Sequence, residues 1–252
     1  MQTLLTIAYD GTAYAGWQRQ KNAIAVQQKL EEALSVLFSQ PITTTAASRT
    51  DAGVHAMGQR AAFFIDDMPI PLEKLPNVIN GFLPRDISVT AAEAVPDDFN
   101  PRFGAGYKTY AYNILNTNVP NPLLGRYSVH EPRKLDLGEM KNALGMFVGR
   151  HDFAAFQATG SSAKTTVREI YGFTMANQSS GLVTLSITGG GFLYNMVRII
   201  AGTMLYIGLG KLAARDIPSI ILSRDRTQAG KTMPPEGLTL LEVGYTKYRV
   251  LE

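Results

Sequence analysis

Strand and helix signals follow one another along this chain in an order that nearly repeats, and that order limits the fold more than any composition does. Residues 2–9 alternate as a strand does and stop at the turn pair Asp10-Gly11. Val26, Leu30, Ala33, Leu34 and Leu37 fall at i, i+4, i+7, i+8 and i+11, which is one face of a helix over 25–38, and Pro41 marks its end. Strands are expected at 43–49 and 60–65, a Pro-interrupted helix at 72–80, and a strand at 87–95. The second half begins again with a strand at 107–115 and a helix at 135–147, whose Leu137, Met140, Leu144 and Phe147 share a face. Strands at 167–175 and 182–187 are joined through Ser179-Ser180-Gly181, a hairpin signal. Helices at 192–207 and 213–222 and a strand at 239–245 complete it. The two orders, βαββαβ and βαββααβ, describe an α+β fold of two ferredoxin-like halves, residues 1–104 and 105–252. Antiparallel sheets joined edge to edge, with helices on one face, would leave a cleft between the halves, a usual place for a ligand.

Composition removes several chemistries. There is no cysteine, which excludes disulfides, thiolate catalysis and Cys-ligated metal centres. His55, His130 and His151 lack the spacing of a zinc motif, so no metal is expected. The N-terminus carries no basic segment leading into an apolar run, and the apolar stretch at 196–209 is broken by Arg198, Gly202 and Gly208. A cytoplasmic protein without membrane spans is the expectation. The net charge of +3 hides an asymmetry: residues 1–104 carry 8 Lys/Arg against 11 Asp/Glu, residues 105–252 carry 16 against 10. An anionic partner gripped by the second half would explain it, and so would an ordinary solvated surface.

The chemistry concentrates around Ser48-Arg49-Thr50-Asp51-Ala52-Gly53-Val54-His55-Ala56. Asp51 stands where a strand ends and a loop opens, with Arg49 two residues back. In extended chain those side chains share a face, and the guanidinium would favour an ionised carboxylate, the form a nucleophile or general base needs. Taken alone, the same Asp51 reads more readily as an Asx-turn, its side chain bonding a nearby backbone N–H.

Further segments suit an RNA substrate. Tyr14-Ala15-Gly16-Trp17-Gln18-Arg19-Gln20-Lys21 mixes aromatic and basic residues; Trp17 could pack locally or support a phosphate backbone. Tyr107-Lys108-Thr109-Tyr110-Ala111-Tyr112 sets tyrosines on one strand face, where they pack or stack on a flipped base. Lys164-Thr165-Thr166-Val167-Arg168 suits phosphate oxygens, or is a solvated strand end. Arg198 sits on an otherwise apolar helix after Gly189-Gly190-Gly191; it reaches solvent or pairs with a carboxylate, for which Asp51 is the candidate. The glycines lack the Lys and Ser/Thr of a nucleotide-phosphate cradle.

Together these stretches resemble the tRNA pseudouridine synthases of the A type. The similarity runs through Tyr9-Asp10-Gly11-Thr12, Gly16-Trp17-Gln18, Arg49-Thr50-Asp51-Ala52-Gly53-Val54-His55-Ala56 and Leu83-Pro84-Arg85-Asp86-Ile87. It continues through Lys108-x-Tyr110-x-Tyr112, His151-Asp152-Phe153, Gly191 to Arg198, and Pro234-Pro235-Glu236-Gly237-Leu238, in family order over nearly the whole chain. Met233 replaces a frequent Ala, and Gly189-Gly190 enrich the loop before Gly191. The resemblance implies isomerisation of uridine in the tRNA anticodon stem-loop by a homodimer, without metal or organic cofactor. It implies that Asp51 is the catalytic carboxylate, that Tyr110 stacks on the target uracil, that Arg198 pairs with Asp51, and that Arg49 holds the displaced nucleotide or its phosphate. Arg19, Lys21, His55, Lys108, Lys164 and Arg168 are the residues expected to meet the rest of the RNA.

Overall fold

A computed structural model describes residues 1–161 and 163–245, and the chain divides into two compact units. Met1–Gly106 and residues 239–245 form the first; Tyr107–Leu238 form the second.

In the first unit, β1 (Gln2–Tyr9), α1 (Val26–Phe38), β2 (Thr45–Ala46), β3 (His55–Phe64), α2 (Leu75–Asn80) and β4 (Ile87–Val95) keep the expected order. β1 lies between β3 and β4, antiparallel to both, and β2 pairs antiparallel with β3. That sequence of neighbours, 4-1-3-2, is the ferredoxin-like arrangement. Leu4, Leu5 and Ile7 of β1 and Leu30 and Leu34 of α1 are buried in its core. The first free N–H groups of α1 are met by the preceding loop: Val26 donates to Gly16 O at 3.2 Å and Gln27 to Trp17 O at 3.0 Å.

Two strand lengths depart from the sequence pattern, β2 shorter and β3 longer, and buried polar side chains figure in both. β2 is short because the backbone of Thr44 bonds to α1 instead of a strand. Its N–H donates to Glu31 Oε1 at 2.9 Å, and its carbonyl accepts from Gln27 Nε2 at 3.0 Å. β3 starts at His55 rather than 60 because His55 and Gln59, polar yet fully enclosed, have partners within reach. The His55 ring accepts from Gly11 N–H, and Gln59 Nε2 donates to Ser48 O at 2.8 Å.

The second unit contains β5 (Tyr107–Leu115), β6 (Val129–His130), α3 (Leu137–Ala143), β7 (Gly149–Asp152), β8 (Val167–Asn177), β9 (Leu182–Gly189), α4 (Met196–Gly208) and α5 (Ile217–Ser223). Its sheet runs β5-β9-β8-β7, antiparallel throughout, with β6 parallel to β5 at one end. The hairpin at Ser179-Ser180-Gly181 is present, with Gly181 at φ 81° and Gln178 N–H bonded to Leu182 O. The helix expected over 135–147 tightens into a 3-10 turn at Leu144–Phe147. Residues 151–152, expected in a loop, belong to β7 instead. Phe153 and Phe156 just beyond are fully buried, with ring centroids 5.9 Å apart. Of the thirteen residues of α4 all but Arg198 and Tyr206 are buried, so an Arg on this helix needs partners wherever it points.

The last strand changes the expected partition. β10 (Leu238–Gly244) follows the second half in sequence, but Thr239 and Leu240 pair in parallel with His55 and Ala56 of β3. The boundary in sequence therefore undercounts the first unit, because pairing partners far apart in the chain leave no local signal. Residues 246–252 of the expected second half lie outside the described residues. No helix among the described residues is long and apolar enough to cross a membrane.

Candidate active site

Asp51 lies in the first unit, half-buried, on the loop between β2 and β3. The loop is held mainly through its backbone. Thr50 O accepts from Trp17 N–H at 3.1 Å, Gly53 N–H donates to Tyr14 O at 3.2 Å, and Val54 N–H closes on Asp51 O at 3.1 Å. Two glycines make this approach possible. A Cβ on Gly11 would strike the Val54 carbonyl oxygen, and one on Gly16 would strike Thr50 O and sit 3.0 Å from the Asp51 carbonyl carbon. Gly16 also has φ 89°, in the left-handed region that a Cβ disfavours. The segment 10–17 and the Asp51 loop are thus laid backbone against backbone.

Buried polar groups complete the support. The Tyr9 hydroxyl and Thr50 Oγ1 are hydrogen-bonded at 2.7 Å. Tyr14 OH donates to Asp86 Oδ1 at 2.6 Å; burial first, and then this carboxylate, hold its phenol well above the usual value, so it remains a donor. His55 was expected to meet RNA. It is 3 % exposed, accepts Gly11 N–H at Nδ1 and lies 3.2 Å from Asp10 Oδ1, so it supports the loop from within. Trp17 is likewise a core residue, 1 % exposed and tilted against Tyr9 with centroids 5.9 Å apart, which removes it as a surface for RNA.

Arg49 is exposed. Arg19 and Lys21 line an open concavity with Ile24 and Gln28. Arg19 Nη1 donates to the buried Glu31 carboxylate at 3.0 Å, so this guanidinium is oriented rather than loose. The Gln27–Glu31 pair that fixes it was not singled out in the sequence, where both residues look like the polar side of an amphipathic helix.

In the second unit, Tyr110 is 7 % exposed and meets the ring of Phe192 edge-on, centroids 5.3 Å apart at 88°. Tyr112, two residues on, is fully buried and donates to Pro234 O at 2.7 Å. Burial, and next the Glu236 carboxylate, raise its phenol far above the usual value, fixing it as a donor that locks the Pro234-Pro235 segment to β5. Arg198 is held in two directions: Nε donates to Met233 O at 2.6 Å and Nη1 to Asn195 Oδ1 at 2.7 Å. Asn195, the residue ahead of α4, has φ 60°. Lys108 is half-buried on β5, opposite Gly189, and Lys164 is exposed. Arg168 is half-buried and donates to Thr165 O and Val167 O at 2.9 and 2.6 Å; burial lowers its pKa. Among the described residues no three or more His, Cys, Asp or Glu side chains are grouped to hold a metal ion.

The first unit thus carries an aspartate on a backbone-clamped loop beside a ferredoxin-like sheet. The chain belongs to the tRNA pseudouridine synthase family, whose model matches residues 5–104 and 143–246, and it is accordingly an isomerase. It is 48 % identical over 241 residues to tRNA pseudouridine synthase A of Ruminiclostridium cellulolyticum, covering 96 % of this chain and 98 % of that one. Identity to the protein of the same name from Caldicellulosiruptor bescii is 46 % over 242 residues, with the same coverage of both chains. Among solved structures, a Cbf5-Nop10-Gar1 complex aligns with 95 % of this chain at TM-score 0.38 and 12 % identity, and this chain spans 49 % of that one.

Proposed function

We propose that the protein converts uridine to pseudouridine in the anticodon stem-loop of tRNA, with Asp51 as the catalytic carboxylate. Substrate and product contain the same atoms. The N1–C1′ bond breaks, a C5–C1′ bond forms, C5 loses its proton and N1 gains one. No group is added and nothing is oxidised, so the chemistry requires no cofactor.

A uridine in a stacked stem or loop must first be turned out of its stack before a side chain can reach it. The Asp51 carboxylate then acts at the ribose, while Tyr110 stacks on the uracil and keeps it from diffusing away during its rotation. Arg198 partners the Asp51 carboxylate, and Arg49 holds the displaced nucleotide or its phosphate. The observation that carries this reading is the clamping of the Asp51 loop by backbone bonds on both sides of the residue, at Thr50 and Gly53. A group fixed before substrate arrives needs no reorganisation during the reaction. The protein acts as a cytoplasmic homodimer on tRNA.

Pseudouridine mapping on tRNA from cells lacking this protein, restored by the purified enzyme, tests the reaction and its position. Loss confined to sites outside the anticodon stem-loop would refute the proposed substrate. The stacking role has its own test. Tyr110→Phe keeps the ring and should retain most activity, whereas Tyr110→Ala should lose about 1–3 kcal/mol of transition-state stabilisation, read as kcat/KM on a tRNA transcript. Equal losses in the two variants would assign the hydroxyl, not the ring, the larger role. Binding to tRNA should also weaken steeply with salt, and Lys164→Glu with Arg168→Glu should flatten the slope. An unchanged slope would place the grip elsewhere.

A further inference from the structure

We infer that Tyr9 is a positioning residue for the reaction, its hydroxyl fixing the catalytic carboxylate of Asp51 through the side chain of Thr50. This rests on Asp51 being the catalytic group. Tyr9 is the last residue of β1, and both ladders of that strand shift register in its second half. Against β3 the register shifts between Ile7 and Tyr9, and against β4 between Thr6 and Ile7. Irregularities of this kind recur next to active sites. Tyr9 continues the buried face of Leu5 and Ile7, and its phenol lies in the interior, 4 % exposed, where it meets Thr50 Oγ1 at 2.7 Å.

Thr50 precedes Asp51, and its two polar handles are taken from different directions. Its carbonyl accepts from Trp17 N–H and its hydroxyl bonds to Tyr9, while the ring of Tyr9 rests against that of Trp17. With carbonyl and side chain both engaged, the rotation of the backbone leading into Asp51 is set before its own side chain is considered. The rest of the Tyr9 ring contributes packing that a phenylalanine would also supply. The hydroxyl adds the link to Thr50, a separation that makes the inference testable.

Tyr9→Phe, Thr50→Val, the double variant and Asp51→Asn would be compared with wild type for tRNA affinity, thermal midpoint and single-turnover pseudouridine formation. Removing the Tyr9 hydroxyl should lower the single-turnover rate at saturating enzyme by about tenfold or more, because small displacements of a reacting group carry large penalties. tRNA affinity should stay within about twofold of wild type. Thr50→Val should act alike, and the double variant should lose no more than the worse single one, since both break one link. A Tyr9→Phe rate within about twofold of wild type would overturn the inference. So would losses in Tyr9→Phe and Thr50→Val that multiply in the double variant, or a defect confined to affinity. If Tyr9→Phe proves unstable, the Thr50→Val rate decides alone, by the same limits. Asp51→Asn separates the two levels. An active Asp51→Asn defeats the catalytic assignment itself, whereas an inactive one beside a fully active Tyr9→Phe defeats only the positioning role.

Discussion

Asp51→Asn is expected to fold, to bind tRNA within about threefold of wild type, and to lose pseudouridine formation by roughly four orders of magnitude or more. The substitution keeps the size and shape of the side chain and removes its charge and basicity. Its neighbours are indifferent to that change where the backbone is concerned. Trp17 N–H and Tyr14 O bond to Thr50 and Gly53, and the closing bond from Val54 uses the Asp51 carbonyl. The loop should therefore stay in place, and the loss should fall on the chemical step. Single-turnover assays at saturating enzyme, set beside tRNA binding isotherms, check both halves. Turnover within about a hundredfold of wild type would remove Asp51 from the mechanism, since general-base contributions alone run to that size or more.

The second large effect is expected from Gly16→Ala. One methyl group would have to sit 2.4 Å from the Thr50 carbonyl oxygen while the backbone holds φ 89°. Relieving the collision means moving the segment 14–17 away from the Asp51 loop, which breaks the bonds from Trp17 to Thr50 and from Gly53 to Tyr14. Val26 also bonds to Gly16 O, so the start of α1 is drawn in. Left-handed strain costs about 1–3 kcal/mol for a residue with a side chain, and the lost bonds about 1 kcal/mol each, so destabilisation of roughly 3–5 kcal/mol is expected. Urea denaturation followed by tryptophan fluorescence suits the measurement, because Trp17 is the only tryptophan and lies within the affected contact. A midpoint close to wild type would show that the two segments do not depend on one another.

How much of this could be read in the sequence differs by kind of interaction. Elements defined by side-chain periodicity were legible. The face of α1 through Val26, Leu30 and Leu34, the hairpin at Gly181 and the length of β4 all emerge from local pattern. What the pattern missed was long-range polar substitution. Nothing near Thr44 shows that Gln27 and Glu31 will take its backbone groups. Nothing near His55 shows that Gly11, 44 residues earlier, will donate to its ring. Trp17 was ambiguous because an aromatic among polar neighbours reads alike whether the chain folds it inward or leaves it out. Asp51 itself was legible as a candidate from its company of Arg49, Gly53 and His55. The means of holding it, through Thr50, Tyr9 and the glycines at 11 and 16, needs the third dimension.

The return of the chain's last described strand to the first unit has a bearing on biosynthesis. As the polypeptide leaves the ribosome, β1 to β4 emerge early, but the strand that pairs with β3 beside His55 and Ala56 arrives only after the entire second unit. The N-terminal portion must wait with that edge uncovered, open to pairing with other nascent chains, and it reaches its final form late in translation. A truncation stopping short of residue 239 would leave the same edge bare permanently, even though every residue proposed for catalysis had already been made.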